Sequence, residues 1–371
     1  MRKVFDDYNY ILDIDRISYI YYLIKLNTKH KDKLLAYEMF LSCNLYSIYD
    51  ILYNHSYYHS TYNIFLIHEN KYRIIMSEKI KDKVVNHLVS KYVLFPLLEP
   101  KLINTNVATR SGKGTSYGIK YLKKYINNLK INHDDIYVLK CDIHKYFYSI
   151  NHEILINKLK RVIHDEALRE LVFSIINSTN YPYINEVIDK AILNEKNLLK
   201  RMGSIDLEKR MSELDNIPRY SNGKGLPIGN LSSQILAVFY LNDLDHYIKE
   251  KLGIKHYIRY MDDFVLIHHD RNYLKYCLKM IKKKLAEFDL RLNNKTQIVN
   301  LNQGLCFLGY RFVLRKKKLF IVLRSKTKKR IKKRIIKARS EEVQNWQSIV
   351  ASYNGYLKNA HCGYYRFIYQ I

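Results

Sequence analysis

The stretch "YIRYMDDFVLIHHD", residues 257–270, decides how the rest of the chain is read. Its apolar and β-branched residues spell strand, yet two acids, Asp262 and Asp263, interrupt it. Strand interiors disfavour Asp, neighbouring carboxylates repel, and burying either one unpaired is costly. In an unbroken strand the two would point to opposite faces. "IRYM" before and "FVLI" after read as two β-runs with the acids in the turn between them. A hairpin tip projects a carboxylate beyond its sheet, where a hard cation such as Mg²⁺ can reach it.

One acidic pair does not imply catalysis, so a partner is required. "VLKCD" supplies one, an apolar strand ending in Asp142. Three carboxylates from two neighbouring strands could hold two Mg²⁺ ions, which activate an attacking hydroxyl and stabilise a leaving phosphate oxygen. The alternative is that Asp142 caps the turn or helix after its strand, a common task for Asp.

Composition narrows the partners. At 371 residues the chain is long enough for two or three domains, and 47% hydrophobic residues exclude a disordered chain. Lys and Arg number 63 against 35 acids, a formal charge of +28, which favours a polyanion such as nucleic acid. A codon bias towards Lys, Asn, Ile and Tyr is the other reading of that charge, and the 35 Tyr fit it. Five scattered cysteines without a CxxC pair argue against a zinc site or a disulfide framework and suit a reducing cytosol. "MRKVFDDYNYILDID" carries acids where a signal peptide needs an apolar core, and no apolar run is long enough for a bilayer. A soluble, cytoplasmic protein without a membrane partner is expected.

Along the chain, residues 1–60 read as short packed helices and "YNIFLIHENKYRIIM" (62–76) as two β-runs around a turn at "HENK". Ile80, Val84, Leu88 and Tyr92 share one face of a helix expected to stop near Pro96. "RSGKGTSYG" places a Gly-rich turn before a helix with Ile119, Leu122 and Ile126 inside. Residues 180–222 read as a polar helical insertion ending in a loop. The order strand–helix–strand–strand–helix–strand then predicts a small antiparallel sheet backed by helices, of α+β type. From 311 to 340 there are fifteen Lys or Arg and no acid, interleaved with Leu319, Phe320, Ile321, Val322, Ile331, Ile335 and Ile336. That spacing predicts a folded basic element able to clamp a nucleic-acid backbone. "NWQSIVASYNGYLKNAHCGYYRFI" reads as a packed helical end.

"CDIHKYF", "GLPIGNLSSQ", "YMDD", "LNNKT" and "CFLGY" occur in the order seen in reverse transcriptases, and the chain resembles that family over roughly 62–315. "KYRIIMSEKIKDKVVNHLV" looks like the finger motifs of the bacterial branch that includes group II intron enzymes. The resemblance implies a right-hand polymerase with N-terminal helices and fingers at 1–134. It implies a ferredoxin-like palm at 135–323, carrying a finger-like helical insertion at about 155–222, and a basic helical thumb at 324–371. The first 60 residues carry little family signal.

The resemblance also implies roles. Asp142 and Asp262 match the metal-binding carboxylates, with Asp263 the adjoining acid and Mg²⁺, as two ions, or Mn²⁺ as the cofactor. Phe147 matches the aromatic under the incoming sugar, or is a core Phe. Lys71 and Arg73 match cations that grip the triphosphate, and Lys295 a lysine near the departing pyrophosphate. In so basic a chain all three also read as solvated surface charges. Phe307, Leu308 and Gly309 of "CFLGY" match the primer grip. Ile228 stands where many reverse transcriptases carry a Gln that bonds the incoming nucleotide. With Gln234 ending the motif, "GLPIGNLSSQ" resembles enzymes of diversity-generating retroelements, which copy RNA with errors at adenines. Losing one such hydrogen bond weakens geometric checking by roughly 1 kcal/mol. Template RNA, a DNA or RNA primer, dNTPs and a small basic accessory protein are the implied partners. A reverse transcriptase of a phage-defence system shares such motifs, and an inactive RNA-binding scaffold is the reading outside enzymology.

Overall fold

A computed structural model describes residues 4–28, 32–69, 71–203, 206–340 and 346–361. The chain divides into two compact units. The first comprises Met1–Leu102, His144–Asp243 and Ala286–Leu290, and the second Ile103–Ile143, Leu244–Leu285 and Arg291–Ile371.

The first unit opens with the expected helices, Ile14–Asn27, Asp32–Glu38 and Leu41–Tyr53. Asp13 caps the first of them, its carboxylate accepting from the backbone N–H groups of Asp15 and Arg16. An antiparallel hairpin follows, β1 (Asn63–His68) and β2 (Tyr72–Ser77). The alternation in β2 buries Tyr72, Ile74 and Met76, which pack against Ile184, Ile188 and Ile192 of the helix Tyr183–Arg201. Within 180–222 the helix Tyr183–Arg201 packs on the hairpin, and a second helix spans Leu207–Asp215. Pro96 does not stop the preceding helix as expected. The run Ile80–Val89 continues through a wider turn, Ser90–Leu94, into Phe95–Leu98. Pro96 lies in the first turn of that last segment, directly after the wider turn, the part of a helix that tolerates Pro best.

The second unit is built on a four-stranded antiparallel sheet. Its strands are β3 (Tyr137–Asp142), β4 (Tyr257–Tyr260), β5 (Asp263–His268) and β6 (Gln297–Asn300), in the order β4–β5–β3–β6. That order, with a helix at Arg271–Ala286 between β5 and β6, is the ferredoxin-like arrangement the sequence predicts. A three-stranded sheet follows, β7 (Leu305–Phe307), β8 (Tyr310–Arg315) and β9 (Lys318–Leu323). One core joins the two sheets to the helix Thr115–Asn132 through Ile119, Leu122, Ile126, Val138, Val265 and Phe312.

The basic element folds as the helix Ser325–Ser340, which buries Ile331 and Ile335 in this core. Its Ile336 and the Phe320 of β9 remain exposed. The final helix, Trp346–Lys358, buries Leu357. The rest of the apolar tail, 362–371, lies outside the described residues, as do residues 70, 204–205 and 341–345. Among the described residues no helix is long and apolar enough to cross a membrane.

Candidate active site

The break between β4 and β5 falls where the sequence places it. Met261 takes a left-handed conformation with φ of 56°, and Asp262 sits in the turn between the two strands. Asp142 ends β3 directly opposite Asp263, the first residue of β5. The three acids therefore meet at one end of the sheet. Asp142 caps no helix: the next helical turn, Tyr146–Ser149, starts behind Lys145 without a side-chain cap.

Electrostatics follow from that crowding. Burial, repulsion from Asp142 and Asp263 and a hydrogen bond with Asp142 push the Asp262 carboxyl up to about 6. Burial raises Asp263 to about 6 as well, with Asp142 adding to it and Lys140 pulling the other way. Lys140 Nζ lies 3.2 Å from Asp263 Oδ2 and donates a 2.9 Å hydrogen bond to the Cys306 carbonyl. Asp263 Oδ1 is buried and has no hydrogen-bond partner among the described residues.

Among the described residues no group of three or more His, Cys, Asp or Glu side chains is placed to hold a metal ion by itself. The acids fit an open site instead. Mutually repelling carboxylates and an orphaned carboxylate oxygen are relieved by a hard cation, and Mg²⁺ in such sites takes one or two carboxylates and completes its shell with water and substrate phosphates.

Lys295 is exposed in a turn joined to the same strand end. The Asn293 N–H donates to the Asp142 carbonyl at 2.7 Å, and the Lys295 N–H donates to Asn293 Oδ1 at 3.2 Å. Leu308 and Gly309 form the β7–β8 turn with φ of 49° and 85°. Leu308 packs over Gly118, and the ring of Tyr356 lies about 3.5 Å from the position a Cβ would take on Gly309. Phe307 is wholly buried, so its side chain anchors this turn from the core.

The remaining expected residues belong to the first unit. Lys71 and Arg73 are exposed, Arg73 on the outward face of β2. Phe147 is half-buried and excluded from the fully buried core, and its carbonyl accepts the Leu226 N–H at 2.7 Å. The same loop reaches β2, where the Met76 N–H donates to the Ile228 carbonyl at 2.9 Å. Gly229, with φ of 140°, allows this approach: a Cβ there would stand 2.5 Å from the Met76 carbonyl oxygen. Ile228 is half-buried, and Gln234 is exposed on a helix, Leu231–Tyr240, whose residues from Ser232 on are otherwise buried. Phe147, Ile228 and β2 are thus held together by backbone bonds, while Gln234 stands one to two turns further along.

Sequence reading missed Lys140 and the buried Arg259. Lys140 was open to discovery, since residues two apart on a strand share a face and Lys140 precedes Asp142 by two.

The sequence model of the family described as reverse transcriptase (RNA-dependent DNA polymerase) matches residues 66–312. That match covers more than half of the chain, and the chain belongs to this family, a class of nucleotidyltransferases with the right-hand polymerase fold. Among solved structures it is similar to apo telomerase from Candida tropicalis truncated from its C-terminal domain. The identity is 15%, the TM-score 0.47, and the match covers 70% of this chain and 55% of that one. It is also similar to telomerase from Candida albicans in complex with a fragment of telomeric RNA, at 15% identity and TM-score 0.45, covering 78% and 49%. The chain spans about half the length of these telomerase chains. Among curated proteins none matches it.

Proposed function

We propose that this chain is an RNA-directed DNA polymerase that extends a primer on template RNA with dNTPs by two-metal phosphoryl transfer. The observation that carries this is the meeting of Asp142, Asp262 and Asp263 at one sheet end in a chain of this family. Asp142, Asp262 and the orphaned Oδ1 of Asp263 would hold divalent cations, Mg²⁺ or Mn²⁺. Bound there, such ions make a 3′-hydroxyl a better nucleophile and neutralise charge on a leaving phosphate. The chain's own groups do the rest. Lys71 and Arg73 bind the triphosphate, Phe147 contacts the sugar, and Lys295 offers a proton to the departing pyrophosphate. The Leu308–Gly309 turn supports the primer end, and the basic helix Ser325–Ser340 grips phosphates, so binding weakens steeply with salt. Fingers, palm and thumb are assigned to 1–134, 135–323 and 324–371.

The narrower reading is a bacterial retroelement enzyme of the diversity-generating kind, working with a small basic accessory protein. It is supported by Ile228, an apolar side chain on a loop fixed to β2, where a hydrogen-bonding Gln is the usual residue. Primer extension on RNA with Mg²⁺, beside Asp262→Asn, tests the polymerase reading. Extension by the wild type alone supports it. RNA binding without extension by either protein sinks it in favour of a scaffold.

A further inference from the structure

Arg259 is the largest wholly buried side chain among the described residues, an unusual place for a guanidinium. It lies in the second unit, as do all the groups that hold it. Its Nε and Nη2 donate to Asp245 Oδ1 and Oδ2 at 2.7 and 2.6 Å, a bidentate pair in which neither side chain touches solvent. The Tyr257 hydroxyl donates to Asp245 Oδ1 at 2.7 Å, and Asn106 Nδ2 to Oδ2 at 3.4 Å. The backbone is fixed as well, the Arg259 N–H donating to Thr105 and its carbonyl accepting from Val107.

The third arm of the guanidinium points elsewhere. Nη1 donates a 3.0 Å hydrogen bond to the Met261 carbonyl. That carbonyl belongs to the peptide linking Met261 to Asp262, and Met261 is the residue forced left-handed, a conformation unfavourable for a residue with a side chain. A buried ion pair is weak evidence for stability, since apolar residues of similar volume often serve as well. Only a planar fork with donors on three sides grips a carboxylate with two and a carbonyl with another. A lysine can satisfy Asp245 but cannot span both partners.

We infer that Arg259 is a positioning residue for Asp262: braced by Asp245, it holds the Met261 carbonyl and so sets the turn that aims the Asp262 carboxylate. This rests on the reading of Asp262 as a cation-holding acid of a polymerase. Wholly buried, Arg259 is out of reach of a substrate in solvent. It removes the freedom of the turn before a cation arrives, so that the carboxylate needs no reorganisation.

The test uses the full chain and two readouts, Mn²⁺ titration by the loss of the free-ion electron paramagnetic signal, and single-nucleotide primer extension. Arg259→Lys keeps a cation for Asp245 and gives up the third arm. Expected are Mn²⁺ affinity weakened about 10-fold and kcat lowered roughly 10- to 100-fold, with the KM for dNTP within about 3-fold of wild type. Adding Met261→Gly supplies a residue that adopts the left-handed turn unaided, and should bring kcat back to within about 5-fold of the Met261→Gly single variant. A core ion pair that served stability alone would not be rescued this way.

Wild-type Mn²⁺ affinity and kcat in Arg259→Lys overturn the inference, and so does a loss that glycine at 261 leaves unchanged. Should Arg259→Lys not fold, Asp245→Asn with Arg259→Gln removes both charges together and carries the same Mn²⁺ readout, where unchanged affinity again overturns it. Asp262→Asn separates the two levels. If it leaves Mn²⁺ binding intact, the reading of Asp262 fails and the inference with it. If it abolishes Mn²⁺ binding but the wild type extends no primer, the polymerase reading fails while the Mn²⁺ affinity of Arg259→Lys still decides the role of Arg259.

Discussion

Lys140 Nζ stands between Asp263 Oδ2, 3.2 Å away, and the Cys306 carbonyl, 2.9 Å away, and so ties the acidic end of one sheet to the first strand of the next. One ammonium neutralises the third carboxylate and braces the strand that leads into the Leu308–Gly309 turn. Lys140→Met removes both contacts and leaves Asp263 more strongly repelled by Asp142. The expected cost is about 1–3 kcal/mol of stability, the range for breaking a charged hydrogen bond in a partly buried setting. Primer extension should fall by at least tenfold. A urea melt and an extension assay check the two effects separately, and wild-type values in both would show the lysine to be ornamental.

The acidic cluster makes the benefit of a cation depend on pH. Asp262 and Asp263 are raised to about 6 from an ordinary value of 3.8. Folding therefore favours their protonated forms: that contribution is complete below pH 3.8 and is lost as pH rises through 6. Above pH 6 both are charged and crowded, and a divalent ion bound as proposed would relieve them. Mg²⁺ should raise the melting temperature at pH 7.5 and have little effect at pH 5, and Asp262→Asn should shrink the difference. Differential scanning fluorimetry at the two pH values reads this directly. An equal Mg²⁺ shift at both would contradict the crowding argument.

His87 works in the opposite direction. Burial, helped by Lys83, lowers its imidazole to about 4 from 6.5. An unfolded chain binds the proton first, so the contribution of a neutral His87 is present above pH 6.5 and is lost as pH falls through 4. The span corresponds to roughly 3 kcal/mol at most. His87→Met should flatten the loss of stability between pH 6.5 and 4 in chemical denaturation. An unchanged acid limb would mean that other groups govern it.

What was legible in the sequence and what was not have physical reasons. The tip at Asp262 and the strand end at Asp142 stand out because acids break an apolar run, and local alternation carries that information. The Ile119, Leu122 and Ile126 face was readable for the same reason, and all three are buried. Pro96 misled because its effect depends on where a helical segment begins, which residue identity alone does not state. Lys140 and Arg259 were passed over as ordinary basic residues of a very basic chain. Their partners explain the silence: Cys306 lies 166 residues from Lys140, and Asp245 sits in a separate helical segment 14 residues before Arg259. Pairing at such distances appears only once the strands are laid side by side.

Two glycines in tight contact should respond differently to a methyl group. A Cβ at Gly229 would meet the Met76 carbonyl oxygen at 2.5 Å, backbone against backbone, at a φ of 140°. At Gly118 the nearest atom, 2.7 Å away, is the tip of the Leu308 side chain, which can turn aside. Gly229→Ala should cost upwards of roughly 2 kcal/mol and unseat the Ile228 loop, whereas Gly118→Ala should cost about 1 kcal/mol or less, the helix gaining from Ala what packing loses. Denaturant midpoints compare them. Equal costs would mean that the loop shifts on β2 more easily than its backbone bond suggests.

Copying accuracy should depend on Ile228 while its loop stays where it is. Ile228 is anchored by its own carbonyl to the Met76 N–H and by the close approach of Gly229, neither of which involves its side chain. Ile228→Gln can therefore exchange an apolar group for a hydrogen-bonding one without moving the backbone. If the half-buried position faces an incoming nucleotide, the new bond is worth about 1 kcal/mol to a correctly placed base and less to a displaced one. Misincorporation opposite template adenine should fall by roughly 5-fold, with total extension changed by less than about 3-fold. Deep sequencing of products from one RNA template, copied by both proteins, gives the ratio. An identical error spectrum would remove Ile228 from the account of fidelity and with it the main support for the diversity-generating reading, while leaving the polymerase reading to stand on the three acids.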